Sequence, residues 1–193
     1  MVDHLHLLKN LTDSFHPLPD KDWELFSSIW KPFEAKRKAT ITTEGEVEKF
    51  LYFVIDGVQR VYYSDEGHEA TLVFTYAPSF GGVLDSFLLQ RPTKYFYETL
   101  TPSVFLRASF IDVQKIAGKS EPIQQLIQNG THLSFSRLME RMTELQCFSS
   151  EEKFRSLLKR SPHIVNLVPH KYLANYIGID ATNFSKLINS VKI

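Results

Sequence analysis

The chemistry most legible in this sequence lies on one edge of its last helical stretch. From residue 181 onward, Ala181, Thr182, Asn183, Ser185, Lys186 and Asn189 stay clear of an apolar stripe at Phe184, Leu187, Ile188 and Val191, spaced i, i+3, i+4 and i+7. An edge of hydroxyls, amides and one ammonium offers the donors and acceptors that read base edges in the major groove of duplex DNA. Lys171, a little upstream, adds a second cation to the set. The same pattern also suits an ordinary helical hairpin that closes a globular domain.

Other chemistries find little support. The seven histidines (His4, His6, His16, His68, His132, His163 and His170) form no H-x-x-x-H pair and no strand-borne H-x-H, so no metal site is expected. A haem held by a single His is the one cofactor alternative left open. The lone cysteine, Cys147, excludes an internal disulfide and a cluster ligated by about four thiolates of one chain, and it fits a reducing compartment. There is no G-x-S-x-G, no phosphate-cradling loop and no paired carboxylate stretch, which leaves catalysis without a nucleophile or base. We therefore expect neither an enzyme nor a cofactor.

The polar edge needs elements to aim it. Leu173, Ala174 and Ile177 share one face of a preceding helix, and Gly178 breaks the pattern where a chain can leave one helix for another. Asp180 is a fitting N-cap for the next. Two short helices joined by a Gly-containing turn make a helix-turn-helix, and Ala174 is small where they must approach. The formal net charge of the 193 residues is zero. It conceals a surplus of four positive charges in residues 151–193 and a matching deficit before them. The basic end is the end that carries the helix pair.

Upstream, residues 1–37 read as helical in pieces, with Trp23, Phe26, Ile29 and Trp30 on one face between Pro19 and Pro32. From Lys38 to Arg107 the period becomes that of strands: KATITT, FLYFVI, VQRVYY, ATLVFT, YFYETL and VFLR, separated by EGE, Asp56-Gly57 and Asp65-Glu66-Gly67. An antiparallel β-roll or barrel is predicted, with Asp56-Gly57 as a two-residue hairpin turn. IDVQKIAG and SEPIQQLIQ restore the helical period, and Asn129-Gly130 marks a break or kink. Beyond it, Phe135, Leu138, Met142 and Leu145 repeat at 3, 4 and 3, the seam of a helix that pairs with a second copy. Packing against its own roll is the other outlet for that stripe. Ser149 and Glu152 read as a capping box opening a helix that buries Phe154, Leu157 and Leu158 and stops at Ser161-Pro162. No run of 18 apolar residues predicts a membrane span, MVDHLHLLKNL lacks a cleavage site, and a cytoplasmic location is expected.

In this order, a roll, a long helix and a helix-turn-helix, the chain resembles the Crp/Fnr (catabolite activator) family of bacterial transcription regulators. EGE with FLYFVIDGVQRVYY is similar to the family's cyclic-nucleotide-binding roll, with Gly45 and Gly57 at its turn glycines. KFRSLLKRSP with VPHKYLANYIGIDATNFSKLI resembles a compact, winged-helix-like branch with little room for a wing. The resemblance implies an α+β fold: a β-roll with N-terminal helices over 1–118, a connecting and dimerisation helix over 119–147, and a DNA-binding domain over 148–193. It implies a homodimer whose partners are double-stranded DNA, a second copy of the chain and RNA polymerase, with no membrane.

Departures from the family pattern bear on the effector and the operator. Where nucleotide-binding members carry F-G-E, this chain has Phe80-Gly81-Gly82 and lacks the carboxylate for the ribose. PTKYFY places Thr93 or Lys94 where the phosphate-holding Arg would fall, and bulky Tyr95 where a small residue is expected. Lys94 attracts an anion only as a point charge, and Tyr95, Phe96 and Tyr97 add bulk to fill the pocket. Gly81, Gly82, Thr93 and Lys94 are the candidate effector contacts, for an unidentified small molecule or none, and cyclic AMP is not expected. In the recognition helix the family's E-x-x-S-R becomes Thr182, Ser185 and Lys186, which predicts a different operator or a greater reliance on phosphate contacts. The alternative function is a degenerate sensor or interaction module without sequence-specific DNA binding.

Overall fold

A computed structural model describes residues 2–190 of the chain. Two helices, α1 (Val2–Phe15) and α2 (Asp20–Ser28), precede the strands β1 (Lys31–Ala35), β2 (Thr40–Thr42), β3 (Phe50–Asp56), β4 (Val58–Asp65), β5 (His68–Tyr76) and β6 (Ser79–Gly81). A short helix α3 (Leu84–Leu89) leads into β7 (Phe96–Thr99) and β8 (Ser103–Ser109). The chain then turns helical through α4 (Phe110–Ala117), α5 (Glu121–Cys147), α6 (Ser150–Arg160), α7 (Ile164–Leu167), α8 (His170–Ile177) and α9 (Ala181–Ser190). The strands pair antiparallel in two four-stranded sheets, β1-β8-β3-β6 and β2-β7-β4-β5.

Strand alternation sorts the apolar residues into three layers of core. On one side of the first sheet, Phe53, Leu106 and Ala108 meet Leu8, Phe26, Trp30, Ile116, Ile123 and Leu126 of the surrounding helices and loops. One residue out of phase, Tyr52, Val54 and Phe105 face inward and meet Val61 and Tyr97 of the second sheet. Val58 and Leu100, on the outer side of that second sheet, join Phe154, Leu157, Leu173, Ile177 and Phe184 of the C-terminal helices. The layers therefore run helices, sheet, sheet, helices. The α+β roll, long helix and terminal helix pair expected from the sequence are all present.

Three local readings need correction. Residues 31–35 are not the tail of a helical segment but the edge strand β1, paired only with β8. An edge strand tolerates Pro32 because the missing N–H deprives no partner. Asp56-Gly57 is not a hairpin turn: β3 pairs with β6 and β8, whereas β4 pairs with β5 and β7, so the dipeptide carries the chain from one sheet to the other. Gly57 has φ +91°, and a Cβ there would lie 2.5 Å from the Pro102 carbonyl oxygen. The two-residue hairpin falls at Glu66-Gly67, both with positive φ, between the paired Asp65 and His68. Finally, α5 runs unbroken through Asn129-Gly130. Asn129 Nδ2 donates to the carbonyl of Phe15 at 3.2 Å, and Gly130 leaves room for the Phe15 ring, so these residues serve the end of α1.

Candidate nucleic-acid interface

The turn between α8 and α9 follows from Gly178. Its φ of +67° lets Ile179 N–H reach the Ala174 carbonyl at 3.0 Å and its own N–H reach Asn175 at 3.1 Å, closing α8 with a Schellman pair. The Asp180 carboxylate then caps α9, accepting from Asn183 N–H at 2.9 Å and from Asn183 Nδ2 at 2.5 Å. The Asn183 backbone bond holds the Asp180 carboxyl below its ordinary range. Leu173, Ala174 and Ile177 are buried, and Phe184 is buried edge-on to Phe154 at 5.4 Å. Leu187 and Ile188 are half-buried, and Val191 lies outside the described residues.

This packing leaves Ala181, Thr182, Asn183, Ser185, Lys186 and Asn189 exposed along one edge of α9. Asn183 is engaged by Asp180, and Ser185 Oγ donates to the Ala181 carbonyl at 3.0 Å, keeping its acceptor lone pairs outward. No ion pair engages Lys186 among the described residues. Lys171 is exposed at the start of α8, its Nζ 4.6 Å from the Tyr172 ring.

Two sets of contacts fix where the helix pair sits. The first joins α5, α6 and α8. Arg141 donates to Glu144 at 3.1 Å and to the Tyr176 carbonyl, and stacks 4.0 Å from the Tyr176 ring. Glu144 also accepts from Ser156 Oγ at 2.5 Å and from Arg160 at 2.9 Å. Burial pushes the Glu144 carboxyl up, but the hydrogen bonds of Arg160 and Ser156 outweigh it and hold the group below its ordinary range.

The second set joins the helix pair to the roll. Arg60, on the outer side of β4, is almost wholly buried between the rings of Tyr62 (3.9 Å) and Tyr172 (4.0 Å). Its guanidinium pairs with Glu98 at 2.6 Å and Glu69 at 2.8 Å and donates to Thr71 Oγ1 at 3.3 Å. Burial opposes that charge, yet the bonds to Glu98 and Glu69 prevail and raise the pKa. Nearby, Asn175 Oδ1 accepts from Thr71 N–H at 2.5 Å while its Nδ2 donates to the Glu69 carbonyl at 2.5 Å.

Inside the roll, side chains occupy the region where the candidate effector contacts lie. A Cβ on Gly81 would meet the Tyr97 hydroxyl at 2.4 Å, and that hydroxyl is bonded to Thr75 Oγ1 at 3.2 Å. Tyr97 is fully buried, and desolvation raises its pKa. The missing cassette carboxylate has a neighbour the sequence did not reveal: Glu48, buried, close to Gly82. It accepts from Thr42 Oγ1 at 2.6 Å, Phe50 N–H at 3.1 Å and Val83 N–H at 3.4 Å, so its oxygens are already engaged; burial still pushes its carboxyl up. Thr93 is buried and exchanges backbone bonds with Gly45 and Glu46, whereas Lys94 points into solvent. Of the three bulky residues, Tyr97 fills the interior, Tyr95 flanks it, and Phe96 faces outward, stacked on Tyr62 at 5.1 Å.

Along α5, Ile123 and Leu126 are buried against the roll, but Phe135, Leu138, Met142 and Leu145 are 64, 55, 46 and 40% exposed. The roll does not cover that stripe. Sequence reasoning missed Arg60, Asn175, Arg141 and Glu144. A charged residue inside the apolar run VQRVYY was the available signal for Arg60; the others look like ordinary surface residues of a helix.

No protein-family model and no curated protein sequence matches the chain. Solved structures do match in fold. FixK2 from Bradyrhizobium japonicum is 15% identical over 83% of each chain, with a TM-score of 0.74. The regulator CLP from Xanthomonas campestris is 15% identical over 89% of this chain and 90% of that one, at 0.63. The catabolite activator protein of Thermus thermophilus is 20% identical over 91% of this chain and 84% of that one, at 0.58. The chain has the fold of the Crp/Fnr regulators.

Proposed function

We propose that this protein is a homodimeric, DNA-binding transcription regulator of the Crp/Fnr type whose effector, if any, is not cyclic AMP. One observation carries the reading: on this fold, the α9 edge from Thr182 to Asn189 is left polar and exposed while Phe184 anchors the helix from behind. In this reading α9 enters the major groove and Lys171 takes a backbone phosphate. The roll and its helices (1–118) are the sensing part, 119–147 the connector, and 148–193 the DNA-binding part. The exposed stripe from Phe135 to Leu145 pairs with that of a second copy, setting two α9 helices about 34 Å apart, one turn of duplex. RNA polymerase would be a further partner, in the cytoplasm.

Tyr97 argues against cyclic AMP, since its hydroxyl stands over Gly81 where a nucleotide beside the cassette would need space. Both Glu48 oxygens already accept hydrogen bonds from the protein's own groups, so a ribose would compete with Thr42, Phe50 and Val83 for them.

A mobility-shift titration against a randomised duplex pool tests the reading. Affinity should fall with salt at a log–log slope of about −0.9 per phosphate contacted. Lys186→Ala should weaken the selected sequence by about 1–3 kcal/mol, without disturbing a side chain that is exposed. If no duplex is retained at low salt, the reading is wrong and the protein is a sensor or interaction module.

A further inference from the structure

Among the described residues, Arg60, Arg107 and Arg141 are the arginines not left exposed. Arg60 pairs with Glu69 and Glu98, and Arg141 pairs with Glu144. Arg107, half-buried near the end of β8, pairs with no carboxylate among the described residues. Its guanidinium carbon lies 4.4 Å from the centre of the Phe33 ring and 4.3 Å from that of Phe50, and it bonds to the Tyr52 hydroxyl. A cation drawn out of water is ordinarily met by an acid. Here it is met by rings and one hydroxyl, which leaves N–H donors of its five to offer a ligand. We propose, independently of the DNA reading, that Arg107 anchors a small organic carboxylate with an apolar body in the mouth of the roll between β1 and β2.

The place for it is built by the sheets. β1 and β2 are the outer strands of their respective sheets, and a cavity of about 770 Å³ opens between them. That lies within the range of small-molecule sites, about 300–1,000 Å³. Phe33, Ala35, Ile41, Val47, Phe50 and Tyr52 supply apolar wall, and Arg107 stands among them. This cavity is not the nucleotide cassette. None of Gly81, Gly82, Thr93 and Lys94 lines it. Tyr52 and Glu48 form the partition, since a Cβ on Gly82 would lie 3.2 Å from the Tyr52 ring and 3.6 Å from the Glu48 carboxylate.

Charge selects the kind of anion. Lys36, Lys49 and Arg107 line the cavity against Glu34, Glu46 and Glu48, so the wall is balanced before a ligand enters. Glu48 is engaged by Thr42, Phe50 and Val83, and Glu46 accepts from Thr43 N–H at 3.0 Å. A monoanion needs one matched cation, and a planar carboxylate fits the guanidinium fork through two parallel bonds. A phosphate dianion brings a second charge that the three glutamates oppose. The remainder of the ligand must be apolar to gain from the aromatic and aliphatic wall.

The test is isothermal titration of the intact protein, at about pH 7.5 where carboxylic acids are ionised, with hydrocinnamate, isocaproate and hexanoate. At least one should bind with a dissociation constant of about 1 mM or tighter, and its primary amide about tenfold or more weakly. Arg107→Met should weaken that carboxylate by about tenfold or more and leave the amide unchanged, a split that misfolding would not produce; Arg107→Lys, which keeps a charge without the fork, should fall between. Val47→Trp, which adds bulk to the wall and keeps Arg107, should weaken carboxylate and amide alike. Cyclic AMP in excess should displace neither. No binding of any of the three acids up to about 20 mM overturns the inference. So does equal affinity for acid and amide, tighter binding of phenethyl phosphate, or an unchanged affinity in Arg107→Met. A parallel loss of acid and amide in Arg107→Met, with Val47→Trp silent, gives Arg107 a structural role and also overturns it. Displacement by cyclic AMP does the same by moving the ligand to the cassette. A protein that retains no duplex yet binds the carboxylate refutes the DNA reading alone.

Discussion

Replacing Arg60 with Met keeps an unbranched side chain between Tyr62 and Tyr172 while deleting the charge. The lost bonds can be weighed one at a time. Glu69 is 44% exposed and regains water, so its pair contributes little. Glu98 is 16% exposed and would be left half-desolvated beside an apolar sulfur, a loss of about 1.5–3 kcal/mol for a charged hydrogen bond. Two cation–π contacts, at 3.9 and 4.0 Å, add about 0.5–2 kcal/mol each, of which a thioether against the same rings returns about 0.3–1.5 kcal/mol. The expected net destabilisation is about 3 kcal/mol, or a urea midpoint lowered by about 1 M at a slope near 3 kcal/mol/M. Tyr172 belongs to α8, so a double-mutant cycle of Arg60→Met with Tyr172→Leu isolates the part that ties the helix pair to the roll, expected at about 1 kcal/mol. A midpoint shift below about 0.2 M, or a coupling within about 0.3 kcal/mol of zero, would refute the assignment of Arg60 as the clasp between roll and helices.

Three further outcomes are expected. Glu144→Gln should cost about 2–3 kcal/mol at neutral pH, less than a fully buried pair because Arg160 is 39% exposed. Because the folded carboxyl titrates below its ordinary 4.5, the stabilisation it supplies is complete above that value and is lost as the pH falls through the folded pKa; denaturation curves of the Gln variant should lack that increment. Gly57→Ala should lose about 3 kcal/mol, combining a left-handed backbone with a Cβ 2.5 Å from the Pro102 carbonyl, and a melting temperature unchanged from the parent would contradict the sheet-to-sheet crossing. If the proposed homodimer forms through α5, Leu138→Glu, at a side chain 55% exposed, should leave the circular dichroism intact yet raise the dissociation constant of that dimer by about 10³-fold, as two apolar burials of about 2 kcal/mol each are lost; sedimentation equilibrium reads it, and an unchanged mass distribution removes the residue from the proposed seam.

Much of the architecture could be read because its signals are local. Ser149 and Glu152 form the capping box their spacing announces, and Gly178 and Asp180 close and open the two terminal helices as their types suggest. What escaped was decided at long range. Asp56-Gly57 has ideal hairpin composition, but β3 finds better partners in β6 and β8, so only the fold tells it from Glu66-Gly67. The edge strand Lys31–Ala35 is too short and too polar to show a period, and it exists because β8 offers it a ladder. At the candidate site, the exposed edge of α9 was legible from one apolar stripe. The residues that hold it, Arg60 and Asn175, reach across more than 100 residues of sequence, to Tyr172 and to Thr71 and Glu69, and no spacing rule anticipates that.

The two hydrogen bonds of Asn175 have a consequence for the life of the molecule. β5 is the outermost strand of its sheet, and a bare outer strand is a template on which a foreign chain can add itself. The carboxamide of Asn175 imitates one rung of such a neighbour, taking the amide of Thr71 and the carbonyl of Glu69, while α8 roofs Phe74. Docking the helices thus also insulates this edge of the sheet at Glu69 and Thr71 against self-templating. Any rearrangement that lifts α8 from the roll trades that insulation for motion, and it must be brief or matched by another cover if the protein is to stay dispersed.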